Sequence, residues 1–114
     1  MKQFLVIGLG RFGSSIAETL YNAGENVLAI EAKEEIVQEA INNDIIDNVV
    51  EADASDEKTL RDLGVNNFDV AFVCIGSNIQ SSILITLTLK ELGVKRVIAK
   101  AISTAHGKVL HKIG

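Results

Sequence analysis

Apolar residues fall along this chain in short, nearly unbroken runs set between longer stretches in which they recur every third or fourth position. The runs are FLVIG (4–8), VLAIE (27–31), NVVEA (48–52), VAFVCIG (70–76) and RVIAK (96–100). They are rich in Val, Ile, Leu and Ala and do not alternate with polar residues, the pattern of parallel strands covered on both faces. Between them the spacing predicts helices. Phe12, Ile16 and Leu20 recur every fourth residue, and Gly24 stands where a C-terminal cap belongs. Ile36, Val37, Ala40 and Ile41 mark a second helix, and Leu60 and Leu63, followed by Gly64, a short third. Ile79, Ile83, Leu84, Leu87 and Leu92 mark a fourth and most apolar one, ended by Gly93; Val109, Leu110 and Ile113 mark a fifth, running from near Thr104 to Gly114. Strand followed by helix, five times over and joined by right-handed crossovers, predicts an α/β fold: a doubly wound parallel sheet with helices on both faces.

Where the first run meets the first helix stands Gly8-Leu9-Gly10-Arg11-Phe12-Gly13. Glycine triples arise by chance in many loops, but here Gly8 follows a strand, Gly13 opens a helix and the acidic Glu31 ends the second strand 18 positions beyond Gly13. In that arrangement the first glycine permits a tight turn, the second lets backbone approach phosphate and the third lets helix pack on strand. The acid accepts hydrogen bonds from ribose hydroxyls. The helix N-terminus presents unpaired N–H groups and a positive dipole end to the phosphates. A 2′-phosphate within ~4 Å of the Glu31 carboxylate meets a repulsion of ~4 kcal/mol per unit charge at an effective dielectric near 20. NADP is therefore disfavoured, while NAD, NADH, ATP, ADP and AMP stay open.

Ligands of such sheets lie beyond the carboxyl ends of the strands. Those ends are Gly8, Glu31, Ala52-Asp53-Ala54-Ser55, Gly76-Ser77-Asn78 and Lys100. Asp53 and Ser55 either hydrogen-bond an adenine edge or cap the short helix after them. Gly76-Ser77-Asn78 either lets backbone pass close to a ligand or is a plain strand–helix turn. Arg11 is either a charged donor beside the phosphates or an ordinary exposed arginine.

The length, 114 residues, suits one small domain spanning 1–114. The longest apolar stretch, Val70 to Ile75, falls far short of the ~20 residues of a membrane helix, and no signal peptide is readable, so the expectation is a soluble, cytoplasmic chain with no direct membrane insertion. A net charge of −4 argues against nucleic acid as the main partner. The charge is uneven: all fifteen acidic groups precede residue 95, whereas residues 95–114 hold five basic groups, either a solvated face or an anion- or subunit-facing edge. Cys74, the single cysteine, lies in an apolar run and reads as a small buried hydrophobe. No apparatus for chemistry is visible. His106 and His111 do not share a helical face, Tyr21 has no lysine four residues on, and no metal-ligand spacing occurs. The expectation is a sensor with no metal site and no catalytic residue.

With VIGLGRFGSSIAETL, EADASDEKTLRDLGVNNFDVAFVCIGSNIQSSILITLTLKELG and VIAKA…HGKVLHKIG in order, the chain closely resembles an RCK/KTN domain, the cytoplasmic regulatory domain of bacterial potassium uptake systems and channels. The Trk/Ktr regulatory subunits are the nearest type. The resemblance implies a Rossmann-like sheet in which Gly8, Gly10 and Gly13 line the phosphates, Glu31 the ribose and Asp53, Ala54 and Ser55 the adenine. Gly76, Ser77, Asn78 and Lys100 would lie across the crevice, Arg11 would reach a phosphate, and Phe12 would be a further cofactor-binding residue of the turn. It implies ATP/ADP or NAD/NADH as regulatory ligand and homodimers assembled as rings, often octameric, beneath a membrane-embedded potassium-translocating subunit. It also implies a longer chain, with a sixth strand after Gly114. The competing reading is the cofactor half of an NAD-dependent oxidoreductase; a fold-only interaction module is a third.

Overall fold

A computed structural model describes residues 2–76, 78–100 and 112. The helix expected near 104–114 and the Ser77 position lie outside the described residues. Five strands, β1 (Gln3–Ile7), β2 (Asn26–Glu31), β3 (Val49–Glu51), β4 (Val70–Val73) and β5 (Arg96–Ala99), alternate with helices α1 (Arg11–Asn22), α2 (Glu34–Asn42), α3 (Glu57–Asp62) and α4 (Ile79–Glu91). All strand pairs are parallel, in the order β3-β2-β1-β4-β5. The chain builds outward from β1 to β3, then returns to β4 on the other side of β1. The strand order therefore reverses between β1 and β4, the point where open α/β sheets leave a crevice.

The unbroken apolar runs have the expected cause. Leu5, Ile7, Ile30, Ala71 and Val73 face one side of the sheet and pack with Leu60, Val65, Ile85, Leu89 and Val94. Val6, Val27, Ala29 and Cys74 face the other and pack with Leu9, Ala17, Ala40 and Ile46. Both faces of the three central strands are covered, so these strands are apolar on both sides apart from residues at their ends.

Two departures concern which helix faces are buried. Phe12 and Ile41, both placed in apolar stripes, are exposed. In α4 the correction is larger: Ile79, Leu84 and Leu87, which mark the helix in the sequence, face outward at 38, 49 and 40 % exposure, whereas Ser82, Ile85, Thr86 and Leu89 are buried. Apolar residues and small polar ones are mixed on every side of this helix, so periodicity cannot select the face that meets the sheet. The threonines tolerate burial because each hydroxyl returns to the preceding turn: Thr86 Oγ1 donates to Ser82 O (2.7 Å) and Thr88 Oγ1 to Leu84 O (2.9 Å). A 3-10 turn at Val65–Asn67, with Val65 fully packed, is an element the sequence pattern does not announce.

Candidate nucleotide crevice

The glycine turn is shaped by contact with β4. Gly8 adopts φ +93°, and a Cβ there would fall 2.7 Å from the Cys74 carbonyl oxygen. Its N–H donates to Ile30 O (2.9 Å), while the Cys74 N–H donates to Ile7 O (2.8 Å), so the turn is tied to both neighbouring strands. A Cβ on Gly13 would stand 1.8 Å from Gly8 O, which leaves glycine as the residue that lets α1 lie on the end of β1. Gly10 is different: nothing lies within 4 Å of where its Cβ would be. It is also the N-cap of α1 with no side-chain cap, so the first N–H groups of that helix open toward this free space.

Glu31 is 91 % buried at the end of β2. Its Oε1 accepts the Leu9 N–H at 2.7 Å and its Oε2 the Lys33 N–H at 3.0 Å. Leu9 and Lys33 are thus part of the site, and sequence spacing gave no sign of the first contact.

At the end of β3, the Ser55 N–H and hydroxyl both donate to Asp53 Oδ1, at 2.9 and 2.6 Å. These two bonds hold the Asp53 carboxyl below its ordinary range. The helix cap expected of Asp53 or Ser55 belongs instead to Asp56, whose Oδ1 accepts the Lys58 N–H. Between them Ala54 is buried in the core beside Ile30 and Leu60. Asn78 caps α4, its Oδ1 accepting the Ser81 N–H (3.0 Å). Gly76 has open space where a Cβ would point. Lys100, held to β4 through its N–H on Val73 O, places Nζ 5.2 Å from the centroid of the Phe12 ring, a cation–π contact across the mouth of the turn. Arg11 is exposed beside it.

Two hollows meet at Gly8 and Glu31. One, of about 140 Å³, is walled by Ile7, Ile30 and Ile85 and rimmed by Asp53, Ser55 and Ser81. The other, of about 240 Å³, lies over the glycine turn between Gly10, Lys33, Cys74 and Gly76. An apolar slot with a polar rim suits a flat base, and the space before a helix N-terminus suits phosphate. A third hollow, lined by Gln3, Asn26, Asn48 and Phe68, opens at the opposite ends of the strands, away from all the candidate residues. Among the described residues no cluster of three His, Cys, Asp or Glu side chains is placed to hold a metal, and no helix is long and apolar enough to cross a membrane.

Cys74 forms part of the floor beneath the turn. Burial pushes its thiol up to about 11, against a smaller opposing pull from Lys100. The thiolate is the reactive form. Labelling by an alkylating reagent at pH 8 is therefore expected to be far slower in the folded protein than in denaturant, with a further slowing when the crevice is filled. Equal rates folded and unfolded would show that the floor of the turn is open.

The TrkA-N domain family matches residues 4–114. Ktr system potassium uptake protein C of Bacillus subtilis (strain 168) is 50 % identical over 113 residues, which are 99 % of this chain and 50 % of that protein. The chain spans about half the length of the curated relatives it matches. Among solved structures, the TrkA-N domain of inner membrane protein ybaL from Escherichia coli has a TM-score of 0.86 at 19 % identity, covering 99 % of this chain and 82 % of that one. The GsuK channel bound to NAD has a TM-score of 0.81 at 16 % identity over 99 % of this chain and 20 % of that one, and GsuK bound to ADP 0.80 at 15 % over 99 % and 29 %. These structures share the fold; the family match says more. The chain belongs to the TrkA-N domain family.

Proposed function

We propose that this domain is the nucleotide-sensing regulatory half of a longer potassium-transport protein, binding an adenine nucleotide (ATP/ADP or NAD/NADH) without turning it over. The observation that carries this reading is the pair of hollows joined at Gly8 and Glu31, a base-sized apolar slot continuous with the space before an uncapped helix. Gly8, Gly10, Gly13 and the α1 N–H groups take the phosphates, with Arg11 and Lys100 supplying positive charge. Glu31 takes the ribose, and Asp53, Ala54 and Ser55 the base, while Gly76 and Asn78 flank the ligand. The thiol of Cys74, which lines the space over the glycine turn, is pushed up to about 11 by burial, which supports sensing over chemistry.

The names of the relatives and the nucleotides bound to GsuK support a membrane-embedded potassium-translocating partner and an adenine ligand. The outward Ile79, Leu84 and Leu87 of α4 support homo-oligomerisation, since a helix apolar on both faces is normally covered on both. We place the assembly at the cytoplasmic side of the membrane. Nucleotides that differ in affinity for two shapes of the assembly would shift its equilibrium, and with it ion flux.

A thermal-shift series with ATP, ADP, AMP, NAD, NADH and NADPH tests the reading. A ligand at about 100 times its dissociation constant adds ~2.7 kcal/mol, several degrees for a domain of this size. A response to adenine nucleotides or NADH, and none to NADPH, is expected. Silence toward all six at millimolar concentration overturns the proposal, and oxidation of NADH by the full-length protein would favour an oxidoreductase.

A further inference from the structure

We infer that Glu31 positions the phosphate turn itself, and that contact with a ribose is a second and separable duty of the same carboxylate. The inference rests on the nucleotide reading above, although part of its test does not. Backbone pairing between β1 and β2 runs up to Ile7 opposite Ile30, and the next N–H, that of Gly8, still reaches Ile30 O. At Leu9 the chain turns away toward α1, and no β2 carbonyl receives its N–H. The Glu31 carboxylate does so, at 2.7 Å and inside the protein. Two successive N–H groups of the turn are thus held by two successive residues of β2, first by a carbonyl and then by a side chain that extends the ladder one step.

The other oxygen is tied as well, to the Lys33 N–H. A carboxylate with both oxygens bound to backbone and 9 % of its surface exposed has little freedom to swing away from an incoming group. Exclusion of a 2′-phosphate therefore comes from a fixed charge. Removing the whole carboxyl group, as in E31A, does not make room for NADP, because it also leaves the Leu9 N–H buried without an acceptor and lets the turn relax. The ligand class affected is any nucleotide whose phosphates lie on the turn, with or without ribose hydroxyls.

A nucleotide that lacks the ribose contact separates the two duties. Wild type, E31A and E31Q are titrated with ATP and with 2′,3′-dideoxy-ATP, and Leu9 amide hydrogen exchange is measured in each without ligand. E31A is expected to lose about tenfold or more in affinity for both nucleotides, from the relaxed turn and its orphaned donor. E31Q, which keeps a carbonyl oxygen for the Leu9 N–H, should restore dideoxy-ATP binding and Leu9 protection. E31D, with its carboxylate withdrawn by one methylene, replaces E31A if that variant does not fold. Dideoxy-ATP affinity and Leu9 protection unchanged in E31A, or a gain of NADPH binding by E31A, would overturn the inference. If wild type binds no nucleotide, the function proposed above fails, and the exchange of Leu9 still decides whether Glu31 holds the turn.

Discussion

Gly13→Ala is expected to destabilise the domain by at least about 3 kcal/mol, the upper range for overpacking, and to abolish nucleotide binding. The added Cβ would sit 1.8 Å from the Gly8 carbonyl oxygen and 2.9 Å from its carbon. Both are backbone atoms, so no side chain can turn aside to relieve the clash. Relief requires α1 to move off the end of β1, which breaks the packing of Ala17 and Leu9 and withdraws the helix N-terminus from the turn. Gly10→Ala is the matched control. Its Cβ meets nothing within 4 Å, and its backbone, at φ −69° and ψ −166°, suits any residue. Stability should change by less than about 0.5 kcal/mol, yet the methyl group enters the space where phosphate is proposed to lie, so affinity should fall. Denaturant melts of both variants, paired with nucleotide titration, check the pair. A Gly13→Ala protein as stable as wild type would show that α1 does not lie where the structure puts it.

The second large effect is expected at Leu60. Leu60→Ala should cost about 3 kcal/mol, within the range for emptying a fully buried leucine site, and lower the melting temperature by roughly 10 °C or more. Helix α3 has six residues, and Leu60 is the one it buries. Too short to persist by its own hydrogen bonds, the helix depends on that anchor. Leu60 packs in the same core as Ala54 and Ile30, so the cavity opens directly behind the Asp53–Ser55 turn. Loss of stability should therefore bring weaker binding of the base. A chemical melt gives the first quantity, and comparing ATP with inorganic triphosphate isolates the second. An unchanged preference for ATP over triphosphate would detach this rim from base recognition.

Much of this was legible in the sequence because it is local. Apolar runs of four to seven residues, helices closed by Gly24, Gly64 and Gly93, and a glycine turn with an acid 18 positions on are all written in neighbouring residues. Each element forms for reasons that lie within a few positions of itself. From such units the handedness of crossovers leaves few arrangements, and the crevice at the carboxyl ends follows with little further information.

Other features depended on residues far apart in the chain, and there the tertiary structure decided. The sequence determined that α4 is a helix; packing decided that Ser82, Ile85, Thr86 and Leu89 turn inward and Ile79, Leu84 and Leu87 outward, because apolar residues surround the helix and only the sheet beneath selects a side. The sequence left Asp53 and Ser55 between a cap and a ligand contact. The fold gave the cap to Asp56, whose carboxylate accepts the Lys58 N–H, while Asp53 and Ser55 bond to each other one turn earlier. The sequence determined that an acid ends β2, but its partner Leu9 lies 22 positions away across the sheet. Spacing along the chain does not encode which donor a buried carboxylate will meet; the requirement that buried N–H groups find acceptors does.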